Sequence, residues 1–197
     1  METIKKFVVI GPESTGKSTL CSQLAGHYHT RWVPEYAREY LEKNGTDYSY
    51  DHLLIIAKGQ IELEESESYQ LSAIGSLGSL MMTNDSQLTA HSSQLLFIDT
   101  DMYVMKVWCE YVFDKCYNWI LNRIAERNYN GYLLCNPDLP WVSDNLREYP
   151  DVETRIKLYH FYKDILVNQS LPWVNINGNY QERFEKAVNF IENELKV

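Results

Sequence analysis

Short apolar runs alternate along this chain with longer stretches whose apolar residues recur at helical spacing. Lys5–Ile10 (KKFVVI), Arg31–Val33, Leu95–Ile98 (LLFI), Tyr132–Cys135 (YLLC) and Trp173–Ile176 (WVNI) read as five short buried strands. Between them, Leu20, Leu24 and Tyr28 mark a helix over Lys17–Tyr28, and Glu35–Lys43 is a second, stopped by Asn44-Gly45. Leu54, Ala57 and Ile61 mark a longer helix from Tyr50 to about Tyr69. Met102–Arg127 reads as helical with a break near Asp114; Val152–Asn168 and Tyr180–Leu195 complete the set. Strands alternating with helices predict an α/β fold, a five-stranded parallel sheet with helices on both faces. The stretch 66–93 breaks the rhythm: it is Ser-rich, with Gly75, Gly78, Asn84 and Asp85, and keeps no apolar period. It reads as a surface excursion or as a lid or interaction loop.

With 197 residues, one domain over 1–197 is expected. Apolar residues at 45% and charged residues at 23% exclude overall disorder. A net charge of −9 with no basic block argues against nucleic acid as the main partner. A local site can still be positive, so an anionic small molecule stays in play. Cys21, Cys109, Cys116 and Cys135 form no C-x-x-C pair and read as buried, reduced thiols. No apolar run approaches a membrane span, and the charged start does not suit a signal peptide; a cytoplasmic protein is expected.

The first strand leads into Gly11-Pro-Glu-Ser-Thr-Gly-Lys-Ser18, which fits G-x-x-x-x-G-K-S/T between a strand and a helix. The glycines let successive N–H groups curl around phosphates, and the helix opening at Lys17 points its positive end at the same anion. Gly11, Glu13, Ser14, Thr15, Gly16, Lys17, Ser18 and Thr19 are thus candidate nucleotide-binding residues for ATP or GTP. Lys17 suits the β and γ phosphates, and the Ser18 hydroxyl suits Mg²⁺.

Two strand ends add acids. Phe97-Ile98-Asp99-Thr100-Asp101 puts Asp99 where a carboxylate holds Mg²⁺, unless it merely caps the next helix. Asp101 suits that cap better by position, or binds substrate hydroxyls. Val33-Pro34-Glu35 puts Glu35 on the acceptor side, to bind or deprotonate an attacking hydroxyl, followed by Tyr36 and Arg38. A solvated surface helix is the alternative there. The stretch 136–155 is polar and Pro-bearing, with Trp141, Arg147 and Arg155; it reads as a lid whose arginines meet phosphates, or carry surface ion pairs.

The ordered set G-P-E-S-T-G-K-S (11–18), P-E-Y-A-R-E-Y (34–40), F-I-D-T-D (97–101) and W-V-S-D-N-L-R (141–147) resembles the ribosylnicotinamide kinase domain of NadR-type proteins, over nearly the whole chain. That resemblance implies a three-layer P-loop NTPase fold with a small lid and ATP- and Mg²⁺-dependent phosphorylation of the 5′-hydroxyl of nicotinamide riboside. It implies nucleotide roles for Lys17 and Ser18, metal binding for Asp99, an acceptor-side role for Glu35, and lid roles for Arg147 and Arg155. The 66–93 stretch looks longer than in the family, and the DNA-binding and adenylyltransferase domains of multidomain relatives are not expected. A kinase of another nucleoside or small alcohol is one alternative; a regulatory P-loop ATPase is another. The chain offers neither N-K-x-D nor D-x-x-G at the positions a GTPase would need, and D-T-D is not the paired acidic end of an AAA motor.

Overall fold

A computed structural model describes residues 4–80 and 95–196, with only the backbone described over 74–80. Five strands form one parallel sheet: β1 (Lys5–Ile10), β2 (Arg31–Val33), β3 (Leu95–Asp99), β4 (Gly131–Cys135) and β5 (Trp173–Ile176), in the order β2-β3-β1-β4-β5. Every pairing is parallel, with Val8 opposite Ile98 on one side and Tyr132 on the other. A parallel neighbour requires a crossover, and the seven described helices supply them: α1 (Lys17–His27), α2 (Tyr36–Asn44), α3 (Tyr50–Leu80), α4 (Met102–Phe113), α5 (Asn118–Glu126), α6 (Val152–Val167) and α7 (Tyr180–Leu195).

The three central strands β1, β3 and β4 are largely apolar because both faces of the sheet are covered there. Val8, Ile10, Leu96, Ile98 and Leu134 point to one side, where Tyr103, Val104 and Val107 of α4 and Leu158, Tyr162 and Leu166 of α6 bury them. Phe7, Val9, Phe97 and Leu133 point to the other, against Leu20, Cys21 and Leu24 of α1 and Ala187 and Ile191 of α7. A third cluster, with Leu53, Ile56, Met105 and Ile120, joins α3, α4 and α5 beside the sheet. No disulfide links the four cysteines, and Cys21, Cys109 and Cys135 are buried.

One sequence expectation holds in detail and one changes. The expected break near Asp114 is real: Asp114 sits at φ 54° and closes α4 before α5. The excursion expected from Ser66 does not begin there, because α3 continues to Leu80. Leu71 is buried on the core, and the hydroxyls of Ser68 and Ser72 donate to the carbonyls of Glu64 (2.7 Å) and Ser68 (2.9 Å), so serine is accommodated within the helix. The rest of that expected stretch, 81–93, lies outside the described residues. Among the described residues, no helix is long and apolar enough to cross a membrane.

Candidate active site

The loop 11–16 leaves the C-terminal end of β1 at the centre of the sheet, where strand order reverses and a crevice opens. Gly16 occupies the N-cap of α1, so the first N–H groups of the helix face the loop's hollow. Lys17 Nζ turns back to the Pro12 carbonyl at 3.1 Å, and the buried Thr15 hydroxyl donates to the same carbonyl at 2.8 Å. The Ser18 hydroxyl donates to Asp99 Oδ2 at 2.5 Å, tying the loop to the end of β3.

Asp99 is wholly buried. Burial, and secondarily the neighbouring Glu35 carboxylate, pushes its pKa up to about 6; Lys17 and the Ser18 hydroxyl pull the other way. Thr100, at φ 78°, turns the chain sharply after it. A β-branched residue in that region is strained, and the turn sends Asp99 and Asp101 in different directions. Asp101 caps α4 through the Tyr103 N–H (3.0 Å) and accepts the Tyr132 hydroxyl (2.9 Å). It is 2% exposed and does not line the crevice, so of its two expected roles the structure shows the helix cap.

Glu35 is the N-cap of α2, yet its carboxylate makes no cap hydrogen bond. The Tyr36 N–H is satisfied instead by the buried amide of Gln60, whose Oε1 lies at 2.7 Å and whose Nε2 donates to the Pro34 carbonyl at 3.3 Å. Gln60 thereby frees Glu35 to line the crevice. Tyr36 turns away from the crevice. Its ring folds back over Gly59, where a Cβ would fall 2.1 Å from the ring, and it is absent from the crevice wall. Arg38 lines the crevice and pairs with Asp144 at 2.7 Å.

One cavity runs from the loop 11–19 past Glu35 and Arg38 to Trp108, Tyr111, Tyr149 and Tyr162. The segment between β4 and α6 closes over it. Its Val142 N–H donates to Ser14 Oγ (2.9 Å), and the Glu148 and Tyr149 N–H groups donate to Glu13 Oε2 (3.0 and 3.1 Å). Burial raises the Glu13 pKa against these bonds. On the far side, Tyr48 donates to Glu148 (2.9 Å) and accepts the Trp108 indole N–H (2.9 Å). Arg147 lies in the wall, reaching Ser14 Oγ at 3.4 Å and the Val142 carbonyl at 2.5 Å. Arg155 does not line the cavity. It is 4% exposed behind the Trp141 ring, 5.4 Å from its centroid, and its Nε and Nη1 have no hydrogen-bond partner.

The geometry therefore unites Gly11, Glu13–Thr19, Glu35, Arg38 and Arg147 around one cavity, with Asp99 just behind Ser18. Tyr36, Tyr40, Tyr103, Trp108 and Trp141 are the rings the sequence offers for stacking on a flat base, of which Trp108 alone lines this cavity, and the sequence gives no sign of Gln60, Tyr111, Tyr149 and Tyr162. A lone Gln in a helix carries no local signal, and the rings share no spacing because α4, α6 and a loop each contribute.

A strand–loop–helix phosphate cradle at the centre of a five-stranded parallel sheet, with an acid ending the adjacent strand, defines a P-loop NTPase of the nucleotide-kinase type of fold. The AAA domain family profile matches residues 6–183, and the chain belongs to that family. It is similar to the trifunctional NAD biosynthesis/regulator protein NadR of Salmonella typhimurium, at 24% identity over 190 residues, 96% of this chain and 42% of that protein. The Escherichia coli NadR is likewise 24% identical over 189 residues, covering 95% and 42%. The chain thus spans about two fifths of the length of these curated relatives. A crystal structure of a NadR protein in complex with NR superposes with a TM-score of 0.74 at 21% identity, over 98% of this chain and 50% of that one. Thymidylate kinase from Ehrlichia chaffeensis superposes at 0.60 with 10% identity, over 96% and 99%. At these identities the superpositions establish the fold.

Proposed function

We propose that this chain is a cytoplasmic ribosylnicotinamide kinase, which transfers the γ-phosphoryl group of ATP to the 5′-hydroxyl of nicotinamide riboside and yields nicotinamide mononucleotide. The observation that carries this reading is the single cavity with a phosphate cradle at one end and Glu35, Arg38, Trp108, Tyr111 and Tyr149 at the other. The similarity to NadR and to a NadR protein holding NR supports it, NR being taken as nicotinamide riboside.

Each part has a role that its chemistry suits. Residues 11–19 bind the phosphates, and Lys17 exchanges its contact with the Pro12 carbonyl for the β and γ oxygens. Two oxygen donors 2.5 Å apart, beside a second carboxylate, suit a hard cation. Among the described residues, no group of three or more His, Cys, Asp or Glu side chains could hold a metal alone, which matches Mg²⁺ bound largely by phosphates and water. Ser18 and Asp99 would hold that ion, which neutralises phosphate charge when bound. Glu35 orients the riboside hydroxyl and takes its proton as the oxygen–phosphorus bond forms and the bond to the ADP oxygen breaks. The aromatic wall meets the pyridinium ring, whose positive charge gains from a π face.

The segment 136–155 acts as a lid. Arg147 already touches the phosphate loop, and the unpartnered nitrogens of Arg155 are a buried cation's donors in want of an anion. Lid closure expels water and brings these arginines onto the transferred phosphoryl group. One domain, acting on a small nucleoside without nucleic acid or membrane, completes the reading.

Turnover of a nucleoside panel with ATP, read by product mass, tests it. A phosphorylated product from nicotinamide riboside at the highest kcat/KM is expected. Preference for another nucleoside would keep the kinase and replace the acceptor. ATP hydrolysis with no phosphorylated acceptor would overturn the reading in favour of a regulatory ATPase.

A further inference from the structure

Arg183, in the first turn of α7, is 2% exposed and lines no part of the cavity. Its guanidinium nevertheless reaches three loops at the C-terminal edge of the sheet. Nε donates to the Gly178 carbonyl after β5 (2.7 Å), Nη1 to the Thr15 carbonyl in the phosphate loop (3.0 Å), and Nη2 to the Asn136 carbonyl after β4 (2.9 Å). Nη2 also pairs with Asp138.

The contact with Thr15 bears on phosphate binding. The Thr15 C=O and the Gly16 N–H belong to one planar trans peptide, so they point in opposite directions. A carbonyl drawn back to Arg183 aims the Gly16 N–H the other way, into the hollow of the loop. Gly16 sits at φ 76°, and a glycine there tolerates either sense of this peptide. In the reversed sense, the hollow would present a carbonyl oxygen to an anion. The Thr15 side chain does not set the sense, because its hydroxyl is bound to the Pro12 carbonyl.

We propose that Arg183 is a positioning residue for phosphate binding, which locks the Thr15–Gly16 peptide with its N–H toward the nucleotide. Only a planar fork spans the three carbonyls; a lysine ammonium at the same place donates from a single point. The inference rests on the part of the proposed function that puts a nucleotide on the loop, and not on the identity of the acceptor.

The test compares direct binding of ATP and of adenosine to the wild type, Arg183→Lys and Asp138→Asn, each checked for an unchanged melting profile. Arg183→Lys should weaken ATP by about 10- to 100-fold, the value of a hydrogen bond to a charged group, with adenosine binding unchanged. Asp138→Asn, which removes the ion pair and leaves the carbonyl contacts, should bind ATP as the wild type does. Equal losses for ATP and adenosine, an unchanged ATP affinity in Arg183→Lys, or the same loss in Asp138→Asn would each overturn the lock.

If Arg183→Lys does not fold, the wild type decides. Inorganic tripolyphosphate titrated into isotope-labelled protein should move the Gly16 amide proton strongly downfield, and an unmoved Gly16 signal overturns the proposal. A wild type that binds no ATP overturns both this inference and the kinase reading. ATP binding with no phosphorylated acceptor overturns the kinase reading alone and leaves these comparisons decisive for Arg183.

Discussion

The two ends of the cavity are built in opposite ways. The end proposed to take phosphate is nine consecutive residues, 11–19, where backbone N–H groups would do most of the binding. The end proposed for the acceptor gathers side chains from β2–α2, α4, α6 and the segment after β4, with positions from Glu35 to Tyr162. Backbone N–H groups read only charge and shape, so one short motif suffices and any nucleoside triphosphate fits. Side chains from distant elements discriminate one flat, charged ring from another, and only the assembled fold brings them together. General chemistry is therefore encoded locally here, and specificity globally.

Breaking the local end should have the largest effect. Lys17→Ala removes the ammonium proposed to meet the transferred phosphoryl group, and kcat should fall by 10²-fold or more, from about 3 kcal/mol or more of lost electrostatic stabilisation. Single-turnover assays check it, and near-normal turnover would remove the loop from the chemistry.

Asp99→Asn stands at the junction of the two ends. Its loss should appear as weakened metal dependence, about tenfold to a hundredfold in kcat/KM at low Mg²⁺, partly recovered by Mn²⁺. In the wild type, a carboxyl with its pKa near 6 must shed a proton to bind metal. Mg²⁺ affinity should drop below about pH 6, with proton release measurable by calorimetry in two buffers. Wild-type metal dependence in the variant would reassign the ion to another group.

At the acceptor end, Trp108→Ala should raise KM for nicotinamide riboside about 2- to 30-fold, as a lost cation–π contact of about 0.5–2 kcal/mol implies, with KM for ATP unchanged. Equal effects on both substrates would erase the division between the ends.

The smallest catalytic effect is expected at Asp101. Its carboxyl is pushed up to about 6, chiefly by burial, so the folded state holds this proton more tightly than the unfolded state. The stabilising proton is fully present below pH 4 and is lost as pH rises through 6. Asp101→Asn should flatten the fall in stability between pH 4 and 6 by about 3 kcal/mol, from a shift of about two pKa units, and leave turnover nearly unchanged. Denaturant titrations at several pH values measure the first effect. A large loss of turnover would restore Asp101 to the substrate site.

The same contrast explains what the sequence disclosed. Lys17, Ser18 and Asp99 stand at fixed distances from strand ends, and the strands are legible as runs buried on both faces. Glu35 is legible because Pro34 ends β2 just before it. Tyr36 and Asp101 look equally well placed in one dimension. One ring turns back into the space left by Gly59, and the other carboxylate turns into the core beyond Thr100. The turn of Tyr36 has no local signal, whereas the position of Asp101 just before α4 already suits a cap. The continuation of α3 past Ser66 is hidden for a related reason: serine hydroxyls can bond the preceding turn, so composition alone reads as a loop where Leu71 anchors a helix.

Glu35 tests most directly whether one cavity serves two separate ends. Gln60 takes over the helix cap, and the Glu35 carboxylate is left facing the cavity. Glu35→Gln keeps the shape while removing charge and basicity. Turnover of nicotinamide riboside and direct ATP binding should be measured on the same preparation of this variant. A fall in kcat of about 10²-fold or more is expected, the contribution of a positioned base, with ATP affinity unchanged. Unchanged turnover, or lost ATP binding with riboside binding intact, would contradict it.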